Sequence, residues 1–390
     1  MPARARWKRA LPMRTLYFVA GEVSADNHGA ALMRSLRVLD PELKFIGRGG
    51  PQMQQVAGAQ FKNWIGDAAV LGLWEVLRKY GYFQEQFGQT LNEIQQSKPD
   101  AVVLIDYPGF NLRLARALRR QQQGQKIIYY ISPQVWAWNR GRIKKMAHFI
   151  DLVLCIFPFE ADLYAASGLR AVFVGHPMIE RLESQKIETD RDPNLIGLFP
   201  GSRSREVRKI FPIMMETARL LLQLHPTLRF RVAAASEELA LEMNERLADR
   251  HAIEINVAET ATIMQSAFVG IVASGSATLE AAYFEMPFVL IYKVAWPTYV
   301  AARLVVNVDF LGMPNLLAGK EVVPEFIQHE AKPGAIVNAV RLLMEDSPPR
   351  DRMISDFDTI SRKLGGPGAS ERAARAILEE LQAGPHSKAR

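Results

Sequence analysis

Short, continuous apolar runs alternate with amphipathic stretches of helical period along almost the whole chain. Continuous runs read as strands covered on both faces, and their alternation with helical patterns is that of parallel α/β layers. In the first half the pattern predicts strands at Leu16–Ala20, Lys44–Ile46, Ala101–Ile105, Lys126–Ile131, Leu152–Ile156 and Ala171–Val174. In the second half it predicts strands at Leu195–Phe199, Arg229–Ala233, Ile253–Val257, Phe268–Val272 and Phe288–Tyr292. Between Glu180 and Pro193 the rhythm lapses into Glu183-Ser184-Gln185-Lys186-Ile187-Glu188, which marks an interdomain linker. Helices from about Pro333 finish the chain, broken at Gly365-Gly366-Pro367-Gly368. The expected fold is α/β, with two doubly wound domains facing each other across a cleft and a C-terminal helical segment. The expected boundaries are 1–13 for an unstructured extension, 14–185 and 186–345 for the domains, and 346–390 for helices packing back across them.

A length of 390 residues agrees with two domains. Hydrophobic content of 48% and charged content of 23% are those of an ordinary globular protein. The net charge of +7 resides in the tails: Arg4, Arg6, Lys8, Arg9 and Arg14 at one end, Lys388 and Arg390 at the other. The near-neutral body argues against a nucleic-acid surface, which needs a basic stripe on a folded face. A basic tail can meet an anionic membrane at about 1 kcal/mol per well-placed cation. No apolar run approaches the roughly 20 residues that span a bilayer, and Thr15–Ala20 is too short for a signal-peptide core. The single cysteine, Cys155, sits within Leu152–Ile156 and reads as a small buried hydrophobe. A cytoplasmic location is expected.

Two strands run into small-residue turns that open helices. Leu195–Phe199 leads into Pro200-Gly201-Ser202-Arg203, and Phe268–Val272 leads into Ala273-Ser274-Gly275-Ser276, with Glu280 following. Such turns aim backbone N–H groups and a positive helix end at an anion, and Arg203 adds a planar cationic fork. Two of them in one half of the chain point to a diphosphate, with Glu280 available for ribose hydroxyls. The G-x-G-x-x-G dinucleotide fingerprint is missing after the first strand, which argues against a dehydrogenase. Neither Asp190-Arg191-Asp192 nor Asp356-Phe357-Asp358 follows a strand, and no cluster has metal-ligand spacing. Arg203 and two helix ends can stabilise a departing diphosphate, so no metal or cofactor is expected.

In the first half, Asp106 ends a strand just before Tyr107-Pro108-Gly109-Phe110-Asn111, as a general base facing a cleft or as a residue ordering the turn. Glu22, Ser24 and Asp26 follow the first strand, where they either bond sugar hydroxyls or cap a helix. Trp136 and Trp138, followed by Arg140, Arg142, Lys144 and Lys145, offer stacking surfaces and cations; a core tryptophan and a solvated basic helix are the plain alternative. The run including Val70, Leu73, Trp74 and Leu77 continues through Tyr80, Tyr82, Phe83 and Phe87. It is too apolar all round for a helix with one buried face, so it reads as membrane-inserting or as buried between neighbours. His176 reads as structural.

Seven motifs in one order carry a resemblance. They are Gly21-Glu22-Val23-Ser24-Ala25-Asp26, Asp106 to Asn111, Ser132 to Trp138, Phe157-Pro158-Phe159-Glu160, Pro200 to Arg203, Ser274 to Glu280, and Pro314-Asn315-Leu316-Leu317-Ala318-Gly319. The chain resembles the lipid-A-disaccharide synthase family, inverting glycosyltransferases of the GT-B arrangement with two Rossmann-like domains. That resemblance implies transfer from UDP-2,3-diacylglucosamine to 2,3-diacylglucosamine 1-phosphate, giving a β-1,6-linked disaccharide and UDP at the cytoplasmic face of the inner membrane. It implies Asp106 as base, with Ser202, Arg203, Ser274, Gly275, Ser276, Glu280 and Asn315 on the UDP-sugar side. Glu22, Ser24, Asp26, Asn111, Trp136, Val70, Leu73, Trp74 and Leu77 fall on the acceptor and lipid side. A homo-oligomer stays open. So do another UDP-sugar transferase with a lipid-linked acceptor and a non-catalytic nucleotide-sugar binder. Ala25, Phe199 and Glu180 depart from the residues usual in that family.

Overall fold

The computed structural model describes residues 14–65, 80–121, 124–133, 141–247, 252–296, 299, 309–345 and 347–383. In chain order the first unit contains β1 (Thr15–Ala20), α1 (Val23–Leu39), β2 (Lys44–Gly49), α2 (Pro51–Ala57), β3 (Lys62–Asn63), α3 (Tyr80–Ser97), β4 (Ala101–Ile105), α4 (Pro108–Arg120), β5 (Lys126–Tyr130), α5 (Gly141–Met146), β6 (Leu152–Cys155), α6 (Pro158–Ala165) and β7 (Ala171–Phe173). The second contains α7 (Met178–Ser184), β8 (Asp192–Phe199), α8 (Ser204–Leu224), β9 (Arg229–Ala234), α9 (Glu237–Asn244), β10 (Ile253–Val257), α10 (Thr260–Ser266), β11 (Ala267–Ala273), α11 (Ala277–Tyr283), β12 (Phe288–Tyr292), α12 (Met313–Ala318), β13 (Glu325–Ile327), α13 (Pro333–Met344) and α14 (Pro348–Lys363). A last helix, α15 (Ala369–Gln382), follows. Prolines at the first turn open α2, α4, α6, α12, α13 and α14, where a missing N–H has no helical partner to lose.

The first unit's sheet has seven strands in the order β3-β2-β1-β4-β5-β6-β7. Alternate residues of each strand face opposite layers. Leu16, Phe18 and Ala20 pack with residues of α1, α2 and α15, while Tyr17 and Val19 pack with residues of α3, α4, α5 and α6. The second sheet runs β10-β9-β8-β11-β12-β13, and its pairings are parallel. In both sheets the chain winds outward in one direction and then restarts beside its first strand. The resulting switch points lie between β1 and β4 and between β8 and β11, the positions at which open parallel sheets leave a crevice at their carboxyl ends.

Two expectations about boundaries change. The chain divides after Pro177, not 185, and residues from Pro367 onward belong to the first unit. The polar stretch expected to be a linker is fastened to the second unit: Arg181 pairs with Glu280 at 2.9 Å. Gln265 joins it there, donating to Gln185 O at 2.9 Å and accepting from Ile187 N–H at 2.8 Å. The C-terminal helices also part company. Phe357 of α14 stacks on Phe288 of β12 at 5.5 Å. Glu380 of α15 is fully buried in the first unit, accepting from Lys126 at 2.8 Å and Arg170 at 2.7 Å. Strands β3 and β13 are too short to leave a periodic signal.

Candidate active site

At the first switch point β1 and β4 end in register, Ala20 beside Ile105. The next residues are Gly21 and Asp106. A Cβ on Gly21 would lie 2.4 Å from the Tyr107 ring, so only glycine lets that ring settle on the β1 turn. Tyr107 stacks on Phe110 at 6.0 Å, and Trp64 meets Phe110 at 5.2 Å while its indole N–H donates to Ala20 O at 2.6 Å. These rings form an aromatic wall at the strand ends.

Asp106 and Tyr107 are both left-handed, with φ of 46° and 50°. For non-glycine residues this costs roughly 1–2 kcal/mol each and persists only where neighbours impose it. The Asp106 N–H donates to Tyr130 O at 3.0 Å, while its carbonyl accepts from Asn111 Nδ2 at 2.8 Å and the Tyr129 hydroxyl at 2.5 Å. The backbone is thus clamped and the carboxylate is left half-buried. Burial pushes its pKa up to about 6, the charge of Glu22 adds to that, and a hydrogen bond from the Tyr107 backbone opposes it. A carboxylate so placed is ionised at neutral pH yet basic enough to take a proton.

At the second switch point Phe199 pairs with Val272 at the ends of β8 and β11. Gly201 (φ 107°) and Gly275 (φ 152°) make the two turns in conformations that other residues rarely adopt. Arg203 is the N-cap of α8, exposed, with Nη1 3.1 Å from Glu206 Oε1. In the other turn the Ser274 N–H donates to Ile291 O at 2.9 Å and so continues the sheet. The Gly275 carbonyl accepts from both the N–H and the hydroxyl of Thr278, at 3.1 and 2.7 Å. Glu280, one turn on, faces Arg181.

A family model described as lipid-A-disaccharide synthetase matches residues 16–376. Lipid-A-disaccharide synthases of Geobacter metallireducens and Persephonella marina are 37% and 33% identical over 380 and 387 residues. These alignments cover 95% and 94% of this chain and 98% and 99% of those proteins. The chain belongs to the lipid-A-disaccharide synthase family. Solved structures extend the likeness at the level of fold. A UDP complex of S. aureus MnaA has a TM-score of 0.61 at 15% identity, covering 96% of this chain and 99% of that one. The calicheamicin glycosyltransferase CalG4 has 0.58 at 13%, covering 95% and 99%. The fold is the two-unit, Rossmann-like α/β architecture of GT-B type, with C-terminal helices.

Within this member of the family, the structure groups Glu22, Asp106 and Tyr107 at one switch point, and Ser202, Arg203, Ser274, Gly275 and Ser276 at the other. It gives three others partners within the fold. Asp26 lies inside α1, almost fully buried, and accepts from the N–H groups of Gly50, Gln52 and Met53 at 2.9, 2.9 and 3.0 Å. It satisfies the start of α2. Asn111 is fully buried and holds the Asp106 carbonyl. Asn315 is fully buried with all four polar positions used: Nδ2 donates to Val323 O and Glu325 Oε1, and Oδ1 accepts from Val322 and Val323 N–H. These bonds tie the 309–325 segment to β13.

Glu22 and Ser24 are exposed. Val70, Leu73, Trp74, Leu77, Trp136, Trp138 and Arg140 lie outside the described residues. His176 packs its ring on Phe157 at 5.5 Å. Asp192 and Asp356 pair with Arg229 and Lys320. Cys155 is buried, and burial raises its thiol far above the usual range. Among the described residues no three His, Cys, Asp or Glu side chains gather to hold a metal, and no helix is long and apolar enough to cross a membrane.

Sequence reasoning missed Tyr129, Thr278 and Glu206. Tyr129 left a signal: a tyrosine in the central strand Lys126–Tyr130 carries a hydroxyl that burial obliges to find a partner.

Proposed function

We propose that this chain transfers the diacylglucosamine of UDP-2,3-diacylglucosamine to the 6-hydroxyl of 2,3-diacylglucosamine 1-phosphate, giving the β-1,6-linked lipid A disaccharide 1-phosphate and UDP. The observation that carries the reading, in a chain of this family, is Asp106: a clamped, partly desolvated carboxylate at the carboxyl end of β4 beside the switch point. In this reading its carboxylate takes the proton of the acceptor hydroxyl as the oxygen attacks the anomeric carbon. The bond to the diphosphate breaks on the opposite side, so an α-linked donor yields a β product in one displacement. Arg203 and the N-terminus of α8 receive the negative charge that develops on UDP. Glu280 exchanges Arg181 for ribose hydroxyls.

The apolar segment holding Val70, Leu73, Trp74 and Leu77 is assigned to acyl chains and to the inner membrane's cytoplasmic face. The test is an assay of purified protein in detergent and EDTA with both acylated substrates, measuring UDP and disaccharide together. Both products are expected, without a divalent metal. UDP binding with no disaccharide across a panel of donors and acceptors would leave a nucleotide-sugar binder. Product only with another lipid-linked acceptor would make it a different transferase.

A further inference from the structure

Away from the strand ends, α4 and α5 carry a second charged feature. Helix α4 contains Arg113, Arg116, Arg119 and Arg120, α5 contains Arg142, Lys144 and Lys145, and neither contains an acidic residue. Their apolar sides are buried, Phe110, Leu114 and Leu118 in one and Ile143 and Met146 in the other, which leaves the cations on the outer face. A groove of about 470 Å³ is lined there by Arg116, Arg119, Arg120, Lys145, His148 and Phe149, with no carboxylate in the lining. Arg119 is paired, its Nη2 2.5 Å from Asp151, and Arg116 lies over the Phe149 ring at 5.6 Å.

We propose that this groove is a binding site for a phosphate-bearing anion, separate from the strand-end sites. The plain reading is a solvated helix end whose cations complement the negative end of the helix. It covers Arg119 and Arg120 in the last turn. It also covers Lys145 in the last turn of α5, but not Arg116 a turn earlier in α4, nor the convergence of the two helix ends with His148 on one groove. The tails account for the whole net charge, so unmixed cations are not a general property of this surface. Guanidinium forks beside an ammonium match phosphate oxygens in both geometry and charge.

The position is also distinct. Helix α4 starts two residues after Asp106 and runs 13 residues, about 20 Å at 1.5 Å per residue. Its far end lies toward the amino ends of β5 and β6, where Arg119 and the Ile127 N–H both meet Asp151, at the opposite end of the strands from Asp106. An anion there leaves the strand ends open.

The test uses the full chain carrying Arg203→Ala, which removes the other cation assigned to phosphate, and titrates it with inorganic pyrophosphate at low ionic strength. Pyrophosphate should bind, and adding Arg116→Gln, Arg120→Gln and Lys145→Gln should weaken it at least tenfold with an unchanged melting temperature. Absence of binding before those changes, or equal affinity after them, overturns the proposal. Sedimentation with phosphatidylglycerol and with phosphatidylcholine vesicles separates the sources. Loss of anionic-vesicle binding alongside the pyrophosphate effect identifies a lipid headgroup, and an effect on pyrophosphate alone identifies a soluble phosphate. Neither readout depends on the transferase reaction.

Discussion

In the proposed reaction Asp106 is the base, and it is also a residue whose backbone and burial are costly. Its carboxylate, pushed up to about 6 first by burial and then by Glu22, must be ionised to accept a proton. Turnover should therefore rise with pH through about 6 and level above it, and Glu22→Gln should move that inflection lower. Asp106→Asn should lower turnover by roughly 10²–10⁴-fold while UDP affinity stays within about twofold; full activity would remove Asp106 from the mechanism. The same group predicts a stability change of defined sign. Because the folded pKa lies above the ordinary 3.8, the native state holds a proton between those values that the unfolded chain has released. Stability therefore falls as pH rises from about 4 to 6. Asp106→Asn should stabilise the protein by an order of 2–3 kcal/mol at pH 7.5 and by nearly nothing at pH 4, read by denaturant unfolding.

Single elements are held together by buried polar residues. Arg48, almost fully buried in β2, binds Gln86, Gln89 and Glu93 of α3, and Tyr17 of β1 donates to Glu93 at 2.6 Å. Burial alone would raise Glu93, but hydrogen bonds from Arg48, Lys62 and Tyr17 outweigh it and hold the carboxyl at about 2. Asn315 does the same for the segment before β13, where Glu325 also accepts from Leu311 and Gly312 N–H at 2.9 and 2.8 Å. Asn315→Ala leaves buried donors and acceptors without partners, at about 1–3 kcal/mol each when unrelieved. The expected result is a loss of about 3 kcal/mol, a drop of roughly 6–12 °C in melting temperature, with UDP affinity nearly intact at low temperature. Lost UDP affinity at an unchanged melting temperature would return Asn315 to the nucleotide site.

At the scale of the whole molecule, the chain closes its first unit with its own C-terminus. Glu380, fully buried, joins Lys126 and Arg170 across more than two hundred residues. Removing one partner of a buried ion pair typically costs 3–5 kcal/mol. Glu380→Ala should accelerate hydrogen exchange in α1, α15 and β4–β6 while β8–β13 keep their protection. Equal loss in both units would show a single cooperative fold. Membrane association is tested by Leu73→Glu with Trp74→Glu, which should weaken binding to anionic vesicles without changing the melting temperature. Unchanged binding would return that segment to protein packing.

The apolar pattern determined the inner strands, the α/β class and the strand-end position of Asp106, and the small residues after two of those strands determined the turns of the second unit. A strand buried on both faces writes its burial into every residue, and a turn to a helix requires small residues at defined offsets. The fates of Asp26, Asn111, Asn315 and Glu380 were decided only by the tertiary structure. A buried polar side chain takes its role from the group that folding brings opposite it. For Asp26 that group is the start of α2, more than twenty residues on, and for Glu380 it is a lysine of β5 and the arginine just before β7, both far earlier in the chain. The edge strands β3 and β13 depend in the same way on neighbours, because two or three residues carry no period of their own and pair only beside β2 and β12.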